Sequence, residues 1–312
     1  MDKIALTVEN LTKIYSKNKK KQTSERALNN LNFEVKRGEI FGLLGPNGAG
    51  KTTFLSILAG TVMKTEGKIN VWGFDLDENP RQVRGSIGIV PQEVNLDAFF
   101  SPKKLLELQA GLYGVSRSKR ITDIILKMVS LEKQSNSYSR SLSGGMKRRL
   151  LIAKAMVHQP PILVLDEPTA GVDVELRKNL WENIKLLNNR GVTIILTTHY
   201  LEEAEKVCDR IGILNKGNLV ALDSTQNLLN KIQTKKVTFV IDKSVTIKNN
   251  ELNSLKILSS KDDEICFSYE KNKVKIEEII KLIQKENAKI LDIFTDDGDL
   301  EDVFLRLTNK NI

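Results

Sequence analysis

The sequence predicts an α/β fold with parallel strands at its core, a small antiparallel sheet before it, an inserted helical region and a small C-terminal α+β unit. Three observations predict this class. Short β-branched apolar runs recur along the first two thirds of the chain, as in parallel strands buried on both faces. A glycine-rich loop joins one such run to a helix. Residues 101–157 lack strand-like runs and show helical spacing instead.

The composition is that of a globular chain. Of 312 residues, 40% are hydrophobic and 28% are charged, which excludes disordered, collagen-like and coiled-coil chains. The net charge of +9 suits a polyanionic ligand, a nucleic acid or an anionic membrane alike. The two Cys and two His are too far apart for a metal finger or a disulfide framework, so we expect a reduced, cytosolic protein without structural zinc. No apolar run approaches the ~18 residues of a spanning helix and no signal peptide is recognisable, so we expect a chain that is neither exported nor membrane-spanning.

The N-terminal region predicts the antiparallel sheet. Strand-like runs span Ile4–Val8, Leu31–Val35 and Glu39–Leu44, and a Lys-Arg-Gly turn separates the last two. Residues 16–26 are rich in lysine and poor in apolar residues, so we expect a solvated loop or hairpin tip there. The lysines from Lys17 to Lys21 either face water, as isolated charge runs usually do, or contact phosphate or lipid.

The order of the later elements predicts two domains. Buried strands are expected at Ile87–Val90, Ile162–Leu165, Thr193–Thr197 and Ile211–Leu214. Together with a helical subdomain at about 95–160, they make a first domain of residues 1–223. A short polar helix at 224–236 then links it to an accessory α+β domain of residues 237–312.

The glycine-rich loop predicts a phosphate-binding site. Its sequence GPNGAGKT fits the pattern GxxxxGK[ST] and lies between the strand Ile40–Leu44 and a helix. Glycines let consecutive backbone N–H groups turn toward phosphate oxygens, and the helix N-terminus adds partial positive charge. We expect Lys51 at the β- and γ-phosphates and the Thr52 hydroxyl on Mg²⁺. The candidate nucleotide-binding residues of this segment are Gly45, Pro46, Asn47, Gly48, Ala49, Gly50, Lys51, Thr52 and Thr53.

Two acids that follow the strand Ile162–Leu165 predict catalytic chemistry. A carboxylate in this place can hold Mg²⁺, and the next one can face an attacking water. Taken alone, such a pair is more often two solvated acids in a loop. Beside a phosphate-binding loop the catalytic interpretation is favoured, which assigns Asp166 to the metal and Glu167 to the general base.

Additional motifs in a fixed order resemble those of the ATP-binding cassette (ABC) transporter family. LSGGM at 142–146 precedes the acidic pair, PTAGVD at 168–173 follows it directly, Gln92 lies upstream, and His199 follows the next strand. The resemblance covers roughly residues 4–223 and points to the nucleotide-binding subunit. It implies a P-loop ATPase with a mixed sheet core, a small antiparallel β subdomain and an inserted helical subdomain.

The resemblance also implies a role for each motif in the ATP site. Tyr15 would stack on adenine, a π-face contact that tolerates any purine, although a lone Tyr after a strand is usually a packing residue. Gln92 would sense Mg²⁺ and the water, so that it counts among both the catalytic and the metal residues. His199 would hold the γ-phosphate and orient Glu167.

The LSGGM segment at 142–146 matches the family's signature motif, which is expected to contact ATP bound to a second copy of the chain. By the resemblance, Ser143, Gly144 and Gly145 complete the ATP site of the opposite subunit, and a Ser-Gly-Gly turn that opens a helix does offer free N–H groups to a phosphate. Met146 stands where the family most often has Gln, a departure also seen in the export branch. His158 matches no motif, and we expect it on the surface at the end of a helix.

The function implied by the resemblance is an ATPase subunit, with ATP and Mg²⁺ as cofactors, that drives a membrane transporter. Two copies would close head to tail around ATP and move a polytopic permease from the cytoplasmic face of the cell membrane. Likeness to the type 2 exporter ATPases, carried by residues 171–177, 197–205 and 300–304, implies export. The alternative is a soluble ABC-type ATPase acting on ribosomes, nucleic acid or protein complexes. Relatives of that kind usually join two cassettes or contain a long coiled coil, and neither is present here, so no nucleic-acid partner is expected.

Overall fold

The computed structural model describes residues 3–18, 23–170, 172, 174–231, 234–243, 245, 255–261, 263–270, 272–296 and 298–309. The chain divides into two compact units, Met1–Ser224 and Thr225–Ile312. Most of the lysine run from Lys17 to Lys21 lies outside the described residues, as do Gly171 and Asp173 of the PTAGVD motif.

The first unit is built from two sheets and seven described helices. Its strands, in chain order, are β1 (Ile4–Asn18), β2 (Thr23–Lys36), β3 (Ile40–Leu44), β4 (Glu66–Val71), β5 (Phe74–Asp75), β6 (Ile87–Val90), β7 (Ile162–Asp166), β8 (Thr193–Thr198), β9 (Arg210–Asn215) and β10 (Asn218–Ser224). Its helices are α1 (Lys51–Leu58), α2 (Pro80–Ser86), α3 (Pro102–Leu112), α4 (Thr122–Met128), α5 (Gly144–Met156), α6 (Val174–Asn189) and α7 (Leu201–Val207).

The antiparallel sheet has the strand order β2-β1-β4-β5. Residues 16–18 and 23–26, expected in a solvated loop or hairpin tip, continue the two strands of its first hairpin. Tyr15 pairs with Glu25, and Ser16 pairs with Ser24. Backbone hydrogen bonds between two strands need no apolar side chains, so a polar segment can extend a hairpin when its side chains face water.

The mixed sheet positions the functional residues. Its order is β10-β9-β3-β8-β7-β6, with β10 antiparallel to β9 and the other neighbours parallel. Strand β3 is buried throughout, as the unbroken apolar runs predict. Phe33 of β2 stacks on Phe41 of β3 with ring centroids 5.5 Å apart, and Phe54 of α1 lies 5.4 Å from Phe33. This aromatic cluster fixes α1 at the end of β3.

Helices α3, α4 and α5 form the inserted helical region, with short 3₁₀ turns at Arg117–Lys119 and Ser139–Ser141. Ser101 caps α3, as the sequence predicts, by accepting a hydrogen bond from the Lys104 N–H. His158 follows the end of α5, as expected, but it is half-buried rather than exposed on the surface. Its ring stacks on Tyr113 with centroids 3.8 Å apart, and its Nε2 lies 3.1 Å from the Ile87 carbonyl oxygen. Because α5 packs beside β6, the imidazole just beyond the helix reaches the start of that strand.

The second unit is a four-stranded antiparallel sheet with helices, as the predicted α+β unit requires. Its elements are α8 (Thr225–Asn230), β11 (Thr234–Ile241), β12 (Leu255–Ser260), β13 (Glu264–Glu270), α9 (Ile276–Lys285), β14 (Ile290–Asp296) and α10 (Leu300–Asn309), and the sheet order is β12-β13-β11-β14. The helix predicted at 224–236 is shorter, because residues from Thr234 onward pair with both β13 and β14. Phe239, Phe267 and Ile279 lie in its buried core.

Candidate nucleotide-binding and catalytic site

The phosphate-binding loop begins where β3 ends and leads into α1. Gly48 and Gly50 have φ values of +79° and +111°, in the region that favours glycine. A Cβ at Gly50 would lie 2.6 Å from both the Ala27 carbonyl oxygen and Leu28 Cδ2, whereas a Cβ at Gly48 meets no atom within 4 Å. Position 50 therefore needs glycine for space as well as for backbone conformation.

Lys51 is held inside this loop. Its side chain is almost fully buried, and its Nζ donates to the carbonyl oxygens of Gly45 at 2.6 Å and Pro46 at 3.2 Å. Burial lowers the pKa of Lys51, and the carboxylates of Glu167 and Asp166 oppose that shift. The loop thus places an ammonium group in the field of the two acids that follow β7.

A cleft of about 820 Å³ opens over the loop, a size typical of small-molecule sites. Most of the residues predicted for ATP binding and catalysis line it, namely Tyr15, Asn47, Gly48, Ala49, Gly50, Lys51, Thr52, Thr53, Gln92, Glu167 and His199. Gly45 and Pro46 do not line it, and they contribute the carbonyl oxygens that hold Lys51. The structure therefore brings residues from five separate segments of the sequence to one site.

Two cationic residues, Arg26 and Lys216, also line the cleft. Arg26 belongs to the basic segment 16–26, for which the sequence left a phosphate contact open, whereas Lys216 was not predicted. Lys216 lies in the turn between β9 and β10 with φ of +47°, and the N–H of the next residue, Gly217, donates to the Ala49 carbonyl oxygen at 3.0 Å. Arg26 Nη1 donates to Asn29 Oδ1 at 2.8 Å. A Lys-Gly pair predicts a turn, but nothing in the sequence places that turn against the phosphate-binding loop.

Glu167 is the centre of the predicted catalytic group. Its Oε2 accepts a hydrogen bond from Gln92 Nε2 at 3.1 Å and lies 3.2 Å from His199 Nδ1. The Glu167 side chain is 11% exposed, whereas that of His199 is 45% exposed. The backbone of Glu167 has φ of +44°, an uncommon conformation for a residue with a side chain. Two side chains from other strand ends thus fix the orientation of this carboxylate.

The predicted metal residues offer the oxygen ligands that Mg²⁺ prefers: a hydroxyl from Thr52, an amide from Gln92 and a carboxylate from Asp166. Asp166 Oδ1 accepts a hydrogen bond from the buried Thr197 hydroxyl at 2.6 Å, and that hydroxyl also accepts from the Glu167 N–H at 3.3 Å. Thr197 was predicted only as part of a strand. In the described ranges no three His, Cys, Asp or Glu residues cluster as a metal site. A hydroxyl, an amide and a carboxylate suit a cation that also binds phosphate oxygens and water.

Tyr15 lies at the edge of the cleft and is 37% exposed. Lys13 Nζ lies 4.7 Å from the centroid of its ring, within cation–π range. The tyrosine is thus a partly exposed aromatic ring beside the phosphate-binding loop.

The signature residues lie elsewhere. Ser143 caps α5, and its Oγ accepts a hydrogen bond from the Met146 N–H at 3.3 Å. Ser143 and Gly144 are exposed, Gly145 is buried, and none of the three lines the cleft. One chain therefore presents an incomplete set of the predicted ATP-binding residues at its own cleft.

Comparison with known proteins decides the family. Residues 28–170 match the family model described as ABC transporter. The Nod factor export ATP-binding protein I of Rhizobium sp. (strain N33) is 35% identical over 320 aligned positions, which cover 100% of this chain and 99% of that protein. The chain belongs to the ABC transporter family. Another relative, the linearmycin resistance ATP-binding protein LnrL of Bacillus subtilis (strain 168), is 37% identical over 229 residues, 73% of this chain and 71% of its own.

Solved structures support the same assignment. An ATP-binding subunit of an ABC transporter superposes with a TM-score of 0.64 at 29% identity over 73% of this chain and 92% of its own. A dimeric ATP-binding cassette in a post-hydrolysis state with ADP and Pi gives a TM-score of 0.62 at 29% identity over 70% of this chain and 98% of its own. The predicted fold class and the predicted ATPase activity of an ABC protein are confirmed. Among the described helices, none is long and apolar enough to cross a bilayer.

Proposed function

We propose that this ABC ATPase binds MgATP in the cleft over residues 45–53, hydrolyses it with Glu167 as general base, and uses closure of a head-to-tail homodimer to drive a membrane exporter. One observation carries the catalytic part. The Glu167 carboxylate is held by Gln92 at 3.1 Å and His199 at 3.2 Å, and all three line the cleft that contains Lys51.

The chemical step needs one base and a stabilised phosphate. Glu167 takes a proton from water, the water oxygen bonds to the γ-phosphorus, and the bond from that phosphorus to the β-phosphate oxygen breaks to give ADP and inorganic phosphate. Lys51 and the backbone N–H groups of residues 48–52 stabilise the phosphate charge. His199 holds the γ-phosphate and orients Glu167, and Tyr15 stacks on the adenine.

Mg²⁺ would be held by Thr52, Gln92 and Asp166, with phosphate oxygens and water as the remaining ligands. The bound cation would neutralise charge on the β- and γ-phosphates. The hydrogen bond from Thr197 fixes the Asp166 side chain at 2.6 Å and so orients it for this role.

A second copy of the chain completes the site. The exposed Ser143 and Gly144 lie outside the chain's own cleft, at the N-terminus of the 13-residue helix α5, where free N–H groups suit a phosphate of a partner's ATP. Because one chain has one phosphate-binding loop and one signature, two copies related by a twofold axis would form two complete sites. The dimeric ATP-binding cassette among the structural neighbours supports this arrangement.

The proposed partner is a polytopic permease contacted from the cytoplasmic face of the cell membrane. The names of the two relatives, for Nod factor export and linearmycin resistance, support export. A second cleft, of about 310 Å³, lies beside the segment that carries Gln92 and is lined by Pro91, Gln109 and Tyr113, among others. We assign this groove to the permease contact and residues 1–223 to the nucleotide-binding domain. Residues 237–312, which follow the linker, are assigned a dimer-stabilising or regulatory role.

Glu167→Gln tests the catalytic assignment. The variant should lose ATP turnover by at least about 100-fold, keep ATP affinity, and form an ATP-dependent dimer on size-exclusion chromatography, since it lacks the base and retains the phosphate-binding loop. ATP turnover at the wild-type rate would contradict the assignment of the base.

Purification of the tagged Glu167→Gln chain with ATP from detergent-solubilised host membranes tests the partner. Mass spectrometry should identify a polytopic membrane protein in near-stoichiometric amount. Recovery of ribosomes, nucleic acid or soluble complexes instead would contradict the transporter assignment and leave the ATPase assignment intact.

A further inference from the structure

Arg148 is a buried guanidinium between two segments of the catalytic site. It lies on α5, in the helical region, and is 3% exposed. The chain segments that face it follow β6 and β7, which are adjacent parallel strands. One of these segments carries Gln92, and the other carries Asp166 and Glu167.

All five N–H donors of this guanidinium are used, and every acceptor is a backbone carbonyl oxygen of these two segments. Nη1 donates to Pro91 at 2.8 Å and Gln92 at 2.7 Å. Nη2 donates to Asp166 at 3.1 Å and Glu167 at 2.6 Å, and Nε donates to Pro168 at 2.8 Å. A single side chain therefore fixes the distance between the Gln92 backbone and the Glu167 backbone.

Arg148 contacts the backbone around a residue of uncommon conformation. Glu167 has φ of +44°, and such a conformation persists only when its surroundings hold it. Arg148 binds the carbonyl oxygens of this residue and of both its neighbours in sequence. Burial lowers the pKa of Arg148, and the nearby Asp166 and Glu167 carboxylates oppose that shift. These carboxylates therefore partly compensate the buried positive charge of Arg148.

We propose that Arg148 is a positioning residue for ATP hydrolysis, which holds the Gln92 segment against the Glu167 backbone and so aims the Glu167 carboxylate. The inference rests on the proposed role of Glu167 as the base. Arg148 lies in the second turn of α5, the helix that Ser143 caps. The orientation of the Glu167 carboxylate therefore also depends on the position of α5.

The next residue provides a matched control. Arg149 Nη1 donates to the carbonyl oxygens of Val129 at 2.8 Å and Ser130 at 3.1 Å, both within the helical region. Loss of this arginine removes contacts of the same chemical kind from the same helix without touching Gln92 or Glu167. A purely structural role for Arg148 predicts similar effects from the two substitutions.

The test compares Arg148→Ala, Arg148→Lys and Arg149→Ala in the full chain by ATP turnover and by binding of MgATP. Arg148→Ala should lower kcat by about 100-fold and leave ATP affinity within about 3-fold, since misplacement of a reacting group affects turnover and the phosphate-binding loop is untouched. Millimolar guanidinium should partly restore kcat in Arg148→Ala and have no such effect on Arg149→Ala. Arg149→Ala should keep kcat within about 3-fold of wild type.

Arg148→Lys keeps the charge and has three donors instead of five, so kcat should still fall by about 10-fold even if the alanine variant fails to fold. Near-wild-type kcat in Arg148→Lys, or equal losses from Arg148→Ala and Arg149→Ala, would overturn the inference. Glu167→Gln is measured in parallel. If Glu167→Gln is active, the assignment of Glu167 as the base is refuted. If Glu167→Gln is inactive and Arg148→Lys is fully active, only the positioning role of Arg148 is refuted.

Discussion

Gln92 and Glu167 are joined by a hydrogen bond of 3.1 Å from Nε2 to Oε2, although 75 residues separate them in the chain. Gln92 follows β6 and Glu167 follows β7, so the parallel pairing of the two strands brings their carboxyl ends together. The amide restricts the rotation of the carboxylate on one side, and His199 contacts the same oxygen. The catalytic carboxylate is therefore oriented by side chains as well as by its backbone.

Gln92→Met tests this relationship, because it keeps the shape of the side chain and removes the hydrogen bond. We expect kcat to fall by about 10-fold to 100-fold and ATP affinity to change by less than about 3-fold. Steady-state ATPase assays and equilibrium ATP binding provide the two readouts. Gln226→Met, the same change at an exposed position of the second unit, is the control and should leave both unchanged. A loss of affinity with normal kcat would contradict the positioning role.

Lys51→Ala should weaken the binding of ATP. The Lys51 ammonium is held by the Gly45 and Pro46 carbonyl oxygens in the phosphate-binding loop, so its removal takes away a positive charge at the phosphates. ATP affinity, measured by titration calorimetry, should fall by at least about 10-fold, or about 1.4 kcal/mol. Lys64→Ala is a control, since Lys64 pairs with Asp77 at 2.8 Å and does not line the cleft. Unchanged affinity in Lys51→Ala would refute the phosphate-binding assignment.

The sequence predicts much of this site because its motifs each combine a strand end with a short local pattern. Residues 45–53 are recognised from their local sequence, Glu167 from the phosphate-binding loop found beside it, and Gln92 and His199 from the family resemblance. The structure brings them together at one cleft. Arg148 and Thr197 could not be recognised in that way. A charged residue in a helix and a threonine in a strand have ordinary local roles, and their partners at Glu167 and Asp166 become visible only through tertiary contacts.

The same limit explains why some strand and helix boundaries differ from the expected ones. The polar segments at 16–18 and 23–26 form strands because each pairs with the other across a hairpin, and no local apolar pattern records that pairing. The helix predicted at 224–236 ends early because the strand beginning at Thr234 has two neighbours in its sheet. In both places long-range pairing outweighs local composition.

A comparison of Gly50→Ala with Gly48→Ala separates the effect of steric crowding on stability from that of backbone conformation in the phosphate-binding loop. Both glycines have positive φ, so either substitution should cost about 1–2 kcal/mol. At Gly50 the new Cβ would also lie 2.6 Å from the Ala27 carbonyl oxygen, and overpacking adds about 1–3 kcal/mol. Urea unfolding without nucleotide should therefore show a larger loss for Gly50→Ala. Equal losses would mean that the crowding at Gly50 is relieved by movement of β2.

His158 should give the first unit a pH-dependent stability. Its Nε2 donates to the Ile87 carbonyl oxygen at 3.1 Å, which leaves Nδ1 as the unprotonated nitrogen of the neutral ring. Within the described residues, that Nδ1 is buried and has no hydrogen-bond partner. Burial lowers the pKa of His158 from its ordinary value of 6.5, and the hydrogen bond to Ile87 partly opposes the shift. Protonation would place an unpaired donor in the interior.

The sign of the effect follows from proton uptake. Below about pH 6.5 the unfolded chain binds a proton at this histidine more readily than the folded chain does, so its contribution to stability is present at neutral pH and is lost as pH falls. His158→Phe retains the stack on Tyr113 and removes the titration. Wild type should be more stable than the variant by about 1 kcal/mol near pH 7.5. The difference should shrink toward pH 5.5, as measured by chemical denaturation. His199, the other histidine in the sequence, is present in both proteins, so its contribution cancels in the comparison. A difference that stays constant over this range would contradict the buried neutral state of His158.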